Sequence, residues 1–111
     1  MARLNYVELP VRAIAASKAF YEQAFGWSMI EFGPTYASTT SGDTDIGLQA
    51  DTEEATKAPL PVIEVEDLEA AQAAVERAGG SVVRPIFAFP GGRRFHFLDP
   101  SGNELAAVKN G

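Results

Sequence analysis

Apolar and polar residues alternate near the start of the chain. Between residues 6 and 11 every second position is apolar, and these positions are Val7, Leu9 and Val11. A period of two residues predicts a β-strand with one buried face. The spacing then becomes helical and predicts an α-helix from about Ile14 to Phe25. Gly26 follows at the position where a left-handed C-cap belongs.

The same strand–helix pattern occurs a second time. Residues 63–80 align with residues 9–26 at a shift of 54 positions. The two segments share valine, alanine, glutamate and glycine at matching positions. The second copy predicts a strand around residues 62–65 and a helix from about Leu68 to Arg77, with Asp67 as its N-cap. Such a duplication indicates that the chain is built from two similar units.

Three short strands are predicted after each helix. They are Trp27–Phe32, Tyr36–Thr40 and Ile46–Gln49 in the first half, and Ser81–Phe87, Arg94–Leu98 and Glu104–Val108 in the second. Glycine, proline and aspartate residues separate them, as is typical of turns. Each half therefore predicts a βαβββ module. We expect Trp27 to begin its strand as a core residue.

The predicted fold class is α+β. We expect one domain over residues 1–111, with a first βαβββ module at 1–50, a polar linker at 51–59 and a second βαβββ module at 60–111. Each module has a helix on one sheet face only. The two modules are therefore expected to form a curved mixed sheet around a cavity, which is where a ligand would bind.

Composition excludes several classes of function. The net charge of −6 argues against a nucleic-acid or anionic-membrane partner, and no apolar run approaches the ~20 residues of a membrane span. The chain has no cysteine, so thiolate metal sites and a cysteine nucleophile are excluded, and its single histidine cannot supply a three-histidine zinc site. No secretion signal precedes the first strand, and we expect a cytoplasmic protein.

Two motifs resemble a known family. Phe20-Tyr21 and Phe25-Gly26-Trp27 stand on and just after the first helix, and Asp99–Asn103 forms a DPSGN turn before the last strand. This pattern resembles the glyoxalase/bleomycin-resistance/extradiol-dioxygenase (vicinal oxygen chelate) superfamily over essentially the whole chain. The resemblance implies the paired βαβββ fold. It leaves the function open, because the superfamily contains isomerases, dioxygenases, thiol transferases and metal-free drug-binding proteins.

The resemblance also implies where a metal would bind. Metal-containing members use four histidine, glutamine or glutamate ligands, and the corresponding positions here are Tyr6, Gly47, Leu60 and Ala106. Glycine, leucine and alanine cannot coordinate a metal through their side chains, and neutral tyrosine is a poor ligand. We therefore expect no metal and no other cofactor.

Strand alternation selects the residues that would line the cavity. On each strand the apolar set should face the helix, which leaves the intervening residues on the opposite face. The predicted ligand-binding residues are Tyr6, Glu8, Arg94, His96 and Glu104. Arginine can bind a carboxylate or phosphate, and the histidine and the glutamates are candidate catalytic acids or bases. The alternative is structural: a cross-strand Arg94–Glu104 ion pair, a hydrogen-bonded His96, and Glu8 at a dimer interface.

Three functions are compatible with this pattern. The first is a metal-independent protein, expected to be a homodimer, that binds a small molecule in the cavity between the modules, where an acidic, aromatic lining would suit a cationic or aromatic ligand. The second is a glyoxalase-like lyase or isomerase, with one divalent metal ion held by Glu8, Glu104 and His96. The third is an interaction module whose cavity is filled by side chains. We favour the first.

Overall fold

A computed structural model of the protein describes all residues from 1 to 111 and confirms the predicted α+β class. Two βαβββ repeats follow one another along the chain. The elements are β1 (Arg3–Pro10), α1 (Ile14–Phe25), β2 (Ile30–Glu31), β3 (Tyr36–Ser38), β4 (Asp45–Gln49), β5 (Leu60–Glu64), α2 (Leu68–Arg77), β6 (Ser81–Phe89), β7 (Gly92–Leu98) and β8 (Glu104–Asn110).

The chain forms two compact units. The first unit comprises Tyr6–Leu60, and the second unit comprises Met1–Asn5 together with Pro61–Gly111. Neither helix has the length and apolar character needed to cross a membrane.

The first unit packs α1 against one face of its strands. In its sheet β4 pairs in parallel with β1 and antiparallel with β3, which in turn pairs antiparallel with β2. The buried core consists of Ile14, Met29, Ala37 and Leu48, and partly buried Leu9 and Val11 pack on it. The alternating apolar positions of β1 therefore contact the helix side, which places Tyr6 and Glu8 on the opposite face.

Helix α1 begins and ends where the spacing predicts. Gly26 adopts the left-handed conformation, with φ of 72°, and its N–H donates to the carbonyl oxygen of Glu22 at 2.9 Å. This conformation requires little energy only for glycine, so the helix ends there. The Glu22 carboxylate also accepts from the backbone N–H of Met29 at 3.0 Å, which fixes the path of the chain after the helix.

The second unit repeats this arrangement, and its helix begins at the N-cap that the sequence predicts. In its sheet β8 pairs in parallel with β5 and antiparallel with β7, and β7 pairs antiparallel with β6. Leu68, Phe95 and Ala107 form the buried core beneath α2. The Asp67 side chain accepts from the N–H of Ala70 at 3.0 Å, as expected of an N-cap.

The segment after α1 differs from the prediction. Residues 27–32 were expected to form a strand, but only Ile30–Glu31 pair with β3. Trp27 precedes this strand and is 39% exposed, so its expected role in the core is wrong. Its ring instead stacks on Tyr21 and Phe25, with centroid distances of 5.6 and 5.3 Å. Trp27 therefore stacks on aromatic side chains of the helix and does not pair in the sheet.

Candidate functional site

The open face of the second unit, defined as the sheet face opposite α2, carries three of the predicted site residues. Phe95 and Phe97 of β7 pack toward α2, so the intervening residues Arg94 and His96 project to the open face. On β8, Ala107 belongs to the helix-side core, and Glu104 lies on the other face by the same alternation. Three of the predicted site residues therefore come together here.

His96 and Glu104 form a buried hydrogen-bonded pair. The Nδ1 atom of His96 lies 2.8 Å from Oε2 of Glu104, and the histidine side chain is 2% exposed, compared with 35% for the glutamate. The other ring nitrogen, Nε2, is also buried and has no hydrogen-bond partner in the protein. Buried polar atoms are nearly always paired, and an exception is expected where a group serves a ligand or a reaction.

Two arginines flank this pair. Arg84 of β6 is the register partner of His96, and its guanidinium carbon lies 3.6 Å from the ring centroid of Phe87. The guanidinium carbon of Arg94 lies 5.4 Å from the same ring and 5.3 Å from that of Phe89. The ring of Phe87 is 5.8 Å from the imidazole. Two guanidinium groups and an aromatic ring thus lie on the same sheet face as the buried histidine.

Arg84 and Phe87 were missed at the sequence level because β6 is irregular. The register with β7 shifts twice, between Val82 and Arg84 and again between Arg84 and Phe87. Each shift adds one residue to β6, as a β-bulge does, and reverses which positions face the helix. The available signal was Pro85, since a proline inside a strand is typical of a bulge or an edge.

The surroundings of His96 keep its ring neutral. Burial lowers the pKa of His96 below its ordinary value of 6.5; the hydrogen bond to Glu104 opposes this, and the charge of Arg94 adds to the lowering. A neutral imidazole has one N–H, and a carboxylate only accepts hydrogen bonds. The contact with Glu104 therefore assigns the proton to Nδ1 and leaves the lone pair on Nε2.

The remaining predicted residues, Tyr6 and Glu8, lie on the open face of the first unit, which is the sheet face opposite α1. The hydroxyl oxygens of Tyr6 and Tyr36 are 2.5 Å apart, and Glu8 is 3% exposed. Burial raises the pKa of Tyr6 above 10.0, against the lowering effect of the Tyr36 hydrogen bond, and the Glu8 charge raises it further. The phenol of Tyr6 is therefore neutral at physiological pH and acts as a hydrogen-bonding group.

The positions of the family's metal ligands do not fit a metal ion. A Cβ atom at Gly47 would overlap the hydroxyl groups of Tyr6 and Tyr36, so this position is already occupied by tyrosine side chains. Leu60 and Ala106 are buried apolar residues, 1% and 0% exposed. No group of three or more His, Asp or Glu side chains is placed to share an ion. We therefore derive no reaction step through a metal.

A groove of about 370 Å³ lies elsewhere in the first unit. It runs along α1 on the helix side and is lined by Leu9, Pro10, Val11, Ala16, Ser17, Phe20, Tyr21, Lys57, Ala58 and Pro59. None of the predicted site residues contributes to it. Because the buried titratable groups are on the open faces, we place the candidate site there and not in this groove.

Comparison with known proteins gives one family. The family model described as Glyoxalase/Bleomycin resistance protein/Dioxygenase superfamily matches residues 3–107. No curated protein is significantly similar in sequence.

Solved structures with the same fold include proteins of different named activities. One described as NAD-dependent benzaldehyde dehydrogenase from Legionella pneumophila is 21% identical, with a TM-score of 0.79 over 96% of this chain and 99% of that chain. Methylmalonyl-CoA epimerase from Mycobacterium tuberculosis is 15% identical, with a TM-score of 0.75 over 98% and 88%. Mn(II)-bound glyoxalase from Novosphingobium aromaticivorans is 21% identical, with a TM-score of 0.70 over 98% and 40%. At these identities the likeness shows the fold alone.

Proposed function

Because the chain belongs to the Glyoxalase/Bleomycin resistance protein/Dioxygenase superfamily, we propose that it is a small-molecule-binding member of it, whose ligand contacts the open face of the second unit without a metal ion. The observation that carries this proposal is the buried Nε2 atom of His96, which has no hydrogen-bond partner in the protein. A buried acceptor left unpaired costs about 1–3 kcal/mol. A ligand that donates a hydrogen bond to it would recover that free energy.

The charges near His96 favour an anionic ligand. Burial lowers the pKa of His96, the positive charges of Arg94 and Arg84 lower it further, and Glu104 is the carboxylate that opposes them. The sequence suggested an acidic, aromatic site for a cationic or aromatic ligand, but that expectation did not include Arg84. With Arg84 present, a carboxylate or phosphate attached to an aromatic or apolar group complements both the guanidinium charges and the ring of Phe87.

A metal-dependent activity is the weaker candidate. One structural neighbour is a Mn(II)-bound glyoxalase, which supports a metal site in that protein. In this chain, three of the four positions that the family resemblance assigns to metal ligands are glycine, leucine and alanine, whose side chains carry no donor atom. Metal-independent binding is therefore the function that these residues support best.

Thermal unfolding of the purified chain tests the proposal. We expect 4-hydroxybenzoate and 4-hydroxyphenylacetate, which combine a carboxylate with a hydroxyl that can donate to Nε2, to raise the melting temperature in the presence of EDTA, and phenyltrimethylammonium to have no effect. Arg94→Gln should weaken binding of the anions on the order of tenfold, since a charge-assisted hydrogen bond contributes about 1.5–3 kcal/mol. Arg93→Gln is the matched control, because Arg93 is the adjacent residue and pairs with Glu69 on the surface.

Two results would contradict the proposal. One is that neither anion binds, as judged by the melting temperature and by isothermal titration calorimetry. The other is that binding appears only after a divalent metal ion is added and disappears with EDTA.

A further inference from the structure

We propose that His96 is a metal-independent general base with Glu104 as its positioning residue, and that the site exchanges a proton on a small anionic carbon acid. This inference rests on the proposed function and goes beyond it, because it adds a reaction to binding. The substrate class is a 2-oxo acid with a C–H bond next to the ketone.

The geometry of the pair meets the requirements of a base. The 2.8 Å contact between Nδ1 of His96 and Oε2 of Glu104 holds the ring in one orientation and one tautomer. The unshared pair of electrons is therefore on Nε2, which is the ring atom without a protein partner. A base must be oriented by a third group and keep one free lone pair, and this pair has both properties.

The flanking charges suit the substrate in its ionised form. A carboxylate bound by a guanidinium of Arg94 or Arg84 would place its neighbouring ketone and C–H bond near the imidazole, because Arg84 is the register partner of His96 and Arg94 lies on the same face of β7. The same positive charges would stabilise negative charge that develops on the ketone oxygen. Phe87, in contact with both guanidinium groups, provides an apolar wall for the rest of the substrate.

The reaction balances without a co-reactant. The Nε2 lone pair takes the proton, the electrons of the C–H bond form the C=C bond of an enolate, and the carbonyl π electrons move to the oxygen. The imidazolium that results is stabilised by the Glu104 carboxylate at Nδ1. Return of the proton from Nε2 to carbon regenerates the ketone, and in D₂O the imidazolium exchanges with solvent first, so that deuterium is returned to the carbon.

Deuterium incorporation into 2-oxo-4-phenylbutanoate measures the reaction. The full chain is incubated with this probe in D₂O with EDTA, and the loss of the C3 proton signal is followed by NMR. Binding is measured in parallel by calorimetry, with benzoylformate as a matched probe that has the same carboxylate and ketone but no exchangeable C–H bond. We expect the chain to accelerate exchange at C3 and to bind both compounds.

Three variants assign the roles. His96→Gln should lose the acceleration on the order of 10²-fold or more, as expected for removal of a general base. It should retain binding of these two probes, because they carry no donor for Nε2 and are held through their carboxylates. Glu104→Gln keeps an acceptor for Nδ1–H but loses the charge, so the exchange rate should fall and the acidic limb of its pH profile should move to lower pH. Glu69→Gln is the matched control, because Glu69 is an exposed glutamate that pairs with Arg93.

The outcomes separate the two proposals. If neither probe binds, the proposed function fails and this inference fails with it. If 2-oxo-4-phenylbutanoate binds but exchange is no faster than with His96→Gln, the inference is wrong and the binding function stands. If Glu104→Gln leaves the pH profile unchanged, Glu104 is not a positioning residue.

Discussion

The Nδ1 atom of His96 lies 2.8 Å from Oε2 of Glu104, across the antiparallel pair formed by β7 and β8. The contact joins a histidine that is 2% exposed to a glutamate that is 35% exposed. The carboxylate can therefore remain hydrated while it fixes the orientation of a buried ring. This relationship decides the tautomer of His96, and the proposed binding and proton-transfer roles both depend on it.

Folding stability should depend on the charge state of His96. Because the folded protein holds the pKa of His96 below 6.5, the unfolded chain binds a proton more readily than the folded chain does. Stability should be independent of His96 above pH 6.5 and should fall as the pH drops below that value. Urea unfolding of the wild type and of His96→Gln between about pH 5 and 7.5 measures this dependence.

The comparison is specific because the chain has a single histidine. The carboxylates whose pKa is lowered, such as those of Asp45 and Asp99, start from 3.8 and lose their contribution at more acidic pH. His96→Gln should therefore show a flatter pH dependence than the wild type, whatever its absolute stability. Equal slopes for the two proteins would show that His96 titrates normally.

Gly47 should not tolerate even a methyl group. A Cβ atom there would overlap the hydroxyl groups of Tyr6 and Tyr36, and overpacking of this kind typically costs about 1–3 kcal/mol. We expect Gly47→Ala to lower the free energy of unfolding by this amount. The same substitution made in a Tyr6→Phe/Tyr36→Phe background should cost less, because both overlapping oxygens are gone. Equal costs in the two backgrounds would show that the hydroxyl oxygens are not the source of the strain, and would leave the overlap with Cζ of residue 6 as its source.

The Asp67 cap should contribute measurably to the second unit. Its carboxylate accepts from the N–H of Ala70 at 3.0 Å, and loss of such a cap costs about 0.5–2 kcal/mol. Asp67→Ala should lower the midpoint of urea unfolding, whereas Asp67→Asn, which keeps an oxygen acceptor, should change it little. If both variants lose the same stability, the effect comes from the negative charge and not from the hydrogen bond.

Removal of the Phe87 ring should expose His96. The two rings are 5.8 Å apart and tilted by 44°, so Phe87 contributes to the cover of the imidazole. Phe87→Ala should therefore increase the rate at which diethyl pyrocarbonate modifies the single histidine, followed by absorbance. Phe89→Ala is the control, since Phe89 contacts Arg94. The same rate in Phe87→Ala and the wild type would show that this ring does not limit access.

Regular periodicity made most of the fold predictable. The bounds of both helices follow from apolar spacing together with Gly26 and Asp67, whose capping roles are local properties of the chain. Alternation on β7 also predicted that Phe95 faces the core and His96 the opposite side. These features depend only on neighbouring residues, so a single sequence contains the information.

The remaining features depend on contacts between separate segments of the chain, which the periodicity within one element does not encode. Arg84 reaches the open face because two irregularities shift the register of β6, and the number of bulges in a strand is set by its pairing partner. Trp27 does not start a strand, because its ring stacks on the aromatic side chain of Tyr21 on α1. The His96–Glu104 contact likewise required the β7–β8 register, which placed Glu104 opposite Leu98.

The tautomer of His96 is the most direct test of the account. In protein labelled with ¹⁵N at histidine, the single imidazole gives one pair of nitrogen resonances, and long-range proton couplings assign them. At pH 7, in the absence of ligand and with EDTA present, we expect the proton on Nδ1 and an unprotonated Nε2. A proton on Nε2, or on both nitrogens at this pH, would contradict this expectation.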